Sequence, residues 1–135
     1  MTADEQAVLD ANAAFYRAFA TRDVAAMDAL WARSVPAACV HPGWQVLNGR
    51  EAVMASWRGI LGGVPPAIRC SAEVTSIAGS AAFVVCTETL DAGELVATNV
   101  FVREDGEWKI AHHHAGPVAS EVDDDDDGPR SGFLN

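Results

Sequence analysis

The chain has only three cysteines, Cys39, Cys70 and Cys86, an odd number spread far apart in stretches of strand-like apolar character. That pattern argues against a disulfide framework and reads as reduced core residues of a cytoplasmic protein. Basic residues are also scarce. Nine Lys and Arg are scattered singly against 19 Asp and Glu, so the basic stripe that a phosphate backbone requires and the polybasic patch of an anionic-membrane binder are both missing. Nucleic acid and membranes are therefore not expected as partners. No apolar stretch approaches the ~18 residues of a membrane span, and the N-terminus lacks the charged start and apolar run of a signal peptide. No glycine-rich phosphate loop, nucleophile elbow or clustered set of metal ligands is present either, so no cofactor is expected.

What remains is a chain of 135 residues, 50% hydrophobic, the size of one domain with a single core. The formal charge of -10 is unevenly placed. Glu121 and the five aspartates at 123–127, less Arg130, put about half of it into the last eighteen residues. The expected organisation is a domain over residues 1–118 followed by an acidic, disordered tail at 119–135.

Within the domain the hydrophobic period changes once. Over residues 4–21, Val8, Leu9, Phe15, Tyr16 and Phe19 recur at helical spacing. Asp23 caps a second helix with Val24, Met27, Leu30 and Trp31 on its stripe. A short extended segment, ACVHPGWQV, bends at Pro42 and Gly43. A third helix begins near Gly49, carries Glu51 in its first turn and aligns Val53, Trp57, Ile60 and Leu61 before Gly62, Gly63, Pro65 and Pro66 end it. After Pro66 the period becomes 2: Ile68, Cys70, Ala72 and Val74 alternate with polar residues, and strands follow at 81–90, 95–102 and from 107 onward.

Three helices cover only one face of a four-strand meander. Runs as apolar on both sides as AFVVC and ELVATNVFV need a second cover, for which a homodimer packed through the outer sheet face is the simplest expectation.

This order, together with TRDVAAMDALWA, VHPGW followed by NGREAV, and TNVFVREDGEWKIAHHH, resembles the nuclear transport factor 2-like, or SnoaL-like, superfamily over about residues 4–117. The resemblance implies an α+β, cone-shaped fold of three N-terminal helices packed on a curved, mainly antiparallel sheet. These motifs are specific for the fold and weak for the activity, because the superfamily includes isomerases, dehydratases, cyclases, epoxide hydrolases, transport factors and oligomerisation domains. Against its steroid delta-isomerases, His41-Pro42 matches the pair carrying the general base, Asn99 matches an oxyanion-hole aspartate, and Phe15 stands where a tyrosine would donate. Enolate stabilisation as those isomerases perform it lacks its hydroxyl here. The hub domain of calcium/calmodulin-dependent protein kinase has arginines at the positions of Asn99 and Ala115, so its anion-binding role does not carry over.

The run His112-His113-His114 cannot serve one site, because successive strand side chains alternate between faces. The turn at Asp105-Gly106 decides which one faces inward. A type I turn with a glycine bulge pairs Arg103 with Glu107 and sets Asn99 beside Ala111, on the His113 face. A tight two-residue turn sets Asn99 beside His112 instead. The resemblance favours the first arrangement, with His113 inward and Trp108, Ile110, His112 and His114 outside with Cys86 and Glu88. His112 and His114 have a zinc-ligand spacing but lack a converging third ligand, so no metal site is expected.

The candidate catalytic residues are thus His41 as general base, His113 as its acid or orienting partner, and Asn99 holding a substrate carbonyl or hydroxyl. The candidate ligand-binding wall is Phe15, Phe19, Trp31, Trp44, Trp57, Val85, Thr87 and Phe101. A few polar groups in an apolar pocket suit a small apolar or aromatic molecule. Three readings follow: a cofactor-free isomerase, dehydratase or cyclase; a non-catalytic small-molecule binder; and a dimerisation or interaction module with no ligand.

Overall fold

The computed structural model describes residues 1–119. The acidic run and the rest of the expected tail from residue 120 lie outside the described residues. Helix α1 spans Ala3–Ala20 and begins with a reciprocal cap: the Glu5 amide donates to Thr2 Oγ1 at 3.0 Å while the Thr2 amide donates to Glu5 Oε1 at 2.8 Å. Helix α2, Val24–Leu30, is capped by Asp23, which accepts from the Ala26 amide at 2.9 Å. Strands β1 (Ala38–Val40) and β2 (Leu47–Asn48) precede α3 (Arg50–Gly62), and β3 (Arg69–Ala78), β4 (Ala81–Leu90), β5 (Gly93–Glu104) and β6 (Glu107–Pro117) complete the chain.

The architecture is α+β, with three helices on one face of an open sheet of order β2-β1-β6-β5-β4-β3. The sheet is mixed. All neighbours are antiparallel except β1 and β6, which run parallel with Cys39 opposite His113. That pairing carries the segment after β1, and with it His41, to the edge of the histidine strand.

The last hairpin differs from both expected registers. Asp105 and Gly106, both at positive φ (50° and 79°), form a tight two-residue turn that pairs Glu104 with Glu107. Carried along the strands, that register would place Asn99 opposite His112. A bulge intervenes: Phe101 pairs with Ile110 and Val100 with His112, leaving Ala111 as an extra residue in β6. Beyond it Asn99 sits opposite His113. His113 therefore faces inward, by a tight turn plus a bulge rather than by the expected turn type.

The same bulge corrects the assignment of Trp108 and Ile110 to the outer face. Both are buried in the core, because the strand changes phase at Ala111. In β4, too, the faces are reversed from expectation. Val84 opposes Asn99, so Ala82, Val84, Cys86 and Glu88 face the helices, while Val85 and Thr87 face outward. The run is apolar on both sides, and its period alone could not select a face. The outer face carries Val74, Phe83 and Val96, which remain 63%, 42% and 47% exposed.

Candidate functional site

Helices α1 and α3, the segment after β1 and the inner faces of β4 to β6 enclose a cavity of about 330 Å³. Its apolar wall includes Phe15, Phe19, Trp44, Trp57, Ile60 and Leu95, and its polar groups are His41, Glu88 and His113. Trp57 is almost fully buried, whereas Trp44 is half-exposed. A larger, open groove of about 710 Å³ lies at the β4–β5 turn, lined by residues such as Leu90, Gly93, Glu94 and Pro117. Among its described lining residues Glu94 is the one with an ionisable side chain.

His41 is placed by the turn that follows β1, closed by the Trp44 amide donating to the His41 carbonyl at 2.9 Å, with Gly43 at φ 81°. Its ring lies edge-on to Trp44 and Trp57, each 4.7 Å away between centroids. The Nε2 atom is 2.9 Å from Ser56 Oγ, and that hydroxyl donates back to the Val53 carbonyl at 2.7 Å. With the serine proton committed to the helix, His41 holds its hydrogen on Nε2 and keeps the Nδ1 lone pair. Burial pushes its pKa down to about 4. At pH 7 His41 is wholly in its base form, and it is a weaker base than an exposed imidazole.

His113 sits on the cavity floor under Phe15, 5.0 Å away between ring centroids, and 6.3 Å from the His41 ring. Asn99, fully buried, fixes its orientation. The Asn99 Nδ2 donates to Asn12 Oδ1 at 2.9 Å and to Tyr16 Oη at 3.1 Å, so Asn99 Oδ1 accepts from His113 Nδ1 at 2.6 Å. The Nε2 lone pair of His113 is thereby aimed at Glu88, whose Oε2 is 4.0 Å away. Burial first, and the neighbouring His41 next, push the His113 pKa down to about 3.

Glu88 is 2% exposed. Its Oε2 accepts a 2.6 Å hydrogen bond from Tyr16 Oη. Desolvation pushes its carboxyl above the usual carboxylate range, while the tyrosine bond pulls in the opposite direction. The Tyr16 hydroxyl is itself driven upward by burial and by Glu88. Beneath them the Cys39 thiol rises to about 12, again chiefly through burial.

The structure brings together His41, His113, Phe15, Phe19, Trp44 and Trp57, and does not bring the other candidates to the cavity. Val85 and Thr87 lie on the opposite sheet face, as their register with β5 requires. Trp31 is fully buried where it bridges to Ile110, and Phe101 is packed in the core under the helices. Asn99 stands behind His113 and is occupied by three protein partners, so it orients the imidazole and does not hold a ligand.

The roles of four polar residues at or behind the site were not read from the sequence. Asn12 interrupts the α1 stripe four residues after Val8, and Tyr16, four residues further on, was counted only as part of that stripe. A lone amide in an apolar stripe was a usable signal of a buried polar network. Ser56 interrupts the stripe of α3 in the same way. Glu88 was seen and assigned to the wrong face. Among the described residues no group of three His, Cys, Asp or Glu is placed to hold a metal ion, and no helix is long and apolar enough to cross a membrane.

Comparison with known proteins places these features in context. Residues 8–120 match a family model described as a SnoaL-like domain. A solved structure from Streptomyces avermitilis, provisionally named a dehydratase of the NTF2-like family, is 36% identical, with a TM-score of 0.79 over 85% of this chain and 96% of that one. Another, from Thiobacillus denitrificans and provisionally named a calcium/calmodulin-dependent protein kinase type II association domain, is 34% identical. Its TM-score is 0.72 over 80% of this chain and 92% of that one. Among curated proteins, F-box protein SKIP8 of Arabidopsis thaliana is 28% identical over 116 residues, which are 84% of this chain. The chain spans half the length of that relative.

Proposed function

The chain belongs to the SnoaL-like domain family, and from that premise we propose that it binds a small, mostly apolar molecule in its cone and transforms it by cofactor-free proton transfer. The observation that carries this reading is the pair of neutral imidazoles, 6.3 Å apart between ring centroids, facing one apolar cavity. His41 is the base. Its ring is neutral at pH 7, with an unprotonated Nδ1 that has the Cys39 Sγ 3.9 Å away, and the removal of a hydrogen made acidic by an adjacent carbonyl is within reach of an imidazole. His113, held by Asn99 through its Nδ1 proton, offers its Nε2 lone pair as acceptor to a substrate hydroxyl, and the proton taken up by His41 is returned from His41. Trp57, Phe15 and Phe19 supply apolar contact.

Such an arrangement suits isomerisation and dehydration, and the name given to the Streptomyces avermitilis relative agrees with the second. The outer face, with Val74, Phe83 and Val96 exposed among the valines of β4 and β5, is covered by a second copy of the chain in this proposal. The relative named as an association domain is consistent with use of the fold in assembly.

The test uses 4-phenylbutan-2-one, an uncharged aryl ketone that fits a cavity of this size. Binding is read from Trp44 and Trp57 fluorescence, and exchange of the hydrogens beside the carbonyl is followed by NMR in deuterated water. The protein should accelerate exchange, and His41→Ala should abolish the acceleration while changing affinity less than about threefold. Exchange unaltered by His41→Ala would remove the catalytic reading, and failure to bind would remove the small-molecule reading.

A further inference from the structure

Glu88 takes no part in the proton transfer just described, yet it is placed where a ligand must meet it. It lies on the cavity lining, 2% exposed, with one carboxylate oxygen accepting from Tyr16 at 2.6 Å and standing 4.0 Å from His113 Nε2. That separation is too long for a hydrogen bond, so the imidazole and the carboxyl face each other without satisfying each other. Neither the wall nor the floor of the cavity offers a lysine or an arginine among the described residues. The other ionisable groups around Glu88 are Tyr16 on α1, Cys39 on β1, Cys70 on β3, Cys86 on β4, and His41 and His113. None of them is a cation at neutral pH.

Resting on the small-molecule reading, we propose that Glu88 is the specificity-determining residue of this pocket, receiving with His113 the polar end of an uncharged ligand that carries a hydroxyl or carbonyl oxygen, and turning away carboxylates of the same shape. The argument is electrostatic. A ligand oxygen that enters between Glu88 and His113 meets a carboxyl and a lone pair whose remaining partners are already fixed by Tyr16 and Asn99. A hydroxyl can donate to either group, and a carbonyl can accept from the carboxylic acid form of Glu88. A ligand carboxylate has no counter-ion there. It either faces a like charge in a desolvated site or forces Glu88 to stay protonated. With a carboxyl and no cation in its described lining, the pocket selects for neutrality rather than for size.

The experiment pairs 4-phenylbutan-2-one with 4-phenylbutanoate, which match in length and ring but differ in charge, and measures both affinities by calorimetry at pH 7. The wild-type protein should bind the ketone at least tenfold more tightly than the carboxylate. Glu88→Gln should shrink that ratio at least fivefold, chiefly by strengthening carboxylate binding. Glu88→Leu serves the same comparison if the amide variant does not fold. Equal binding of the two probes by the wild type overturns the proposal, as does a ratio unchanged on removing the Glu88 charge. Either result leaves the small-molecule reading standing. Binding of neither probe to any of the proteins removes that reading, and this inference with it.

Discussion

Acidification from pH 7 to pH 5 should destabilise the fold through its two cavity histidines. In the unfolded chain a histidine titrates near ~6.5, so at pH 5 it is almost fully protonated there. In the folded protein His41 and His113 have pKa values of about 4 and about 3, and both remain neutral at pH 5. The unfolded state therefore binds more protons, and stability falls as pH falls through 6.5. Each group contributes about 1.4 kcal/mol per pH unit below that value until its folded pKa is reached. Over the 1.5 units down to pH 5 each histidine accounts for about 2 kcal/mol, or roughly 4 kcal/mol for the pair. Glu88 acts in the opposite sense. Its raised folded pKa means that the folded state takes up this proton first, which offsets part of the loss. The clean measurement is consequently a difference. Urea unfolding followed by tryptophan fluorescence at pH 7, 6 and 5 should show His113→Gln losing about 2 kcal/mol less than wild type over that range. The urea slope should stay the same, so that the change is one of stability and not of compactness. Identical pH dependence in the two proteins would mean that His113 is not held neutral by burial, and the electrostatic description of the floor would be wrong.

Other consequences are equally direct. Asn99→Leu leaves Asn12 Oδ1 and His113 Nδ1 without their partner in a fully buried site, and should cost about 3 kcal/mol by urea unfolding while lowering any exchange catalysed at His41 and His113. Gly106→Ala forces a side chain onto a φ of 79° in the β5–β6 turn, and should cost about 1 kcal/mol, with no effect on ligand affinity. Val100→Asp puts a charge on the outer face opposite His112, and should convert the proposed dimer to a monomer by light scattering while leaving the circular dichroism spectrum intact.

Sequence determined the kind of elements and their order, because the change from a helical period to a period of 2 at Pro66 is a local property. The caps at Thr2 and Asp23 are local as well, being set by residues three positions apart. Two of the site's imidazoles, His41 and His113, were also legible, the first from a sharp turn after a strand and the second from strand alternation checked against the resemblance. Which face each strand presented was not. In β4 both faces are apolar, so only pairing with β5 could turn Glu88 inward and Val85 outward. In β6 one extra residue at Ala111 reverses the alternation for everything before it and carries Trp108 and Ile110 into the core, and no local period in the strand marks that position. Tertiary structure alone also decided the proton inventory. The chain names four histidines and many carboxylates, but the depth at which His41, His113 and Glu88 are buried, and the partners already taken by Asn99, Ser56 and Tyr16, set which groups are neutral at pH 7 and which lone pairs remain free for a ligand.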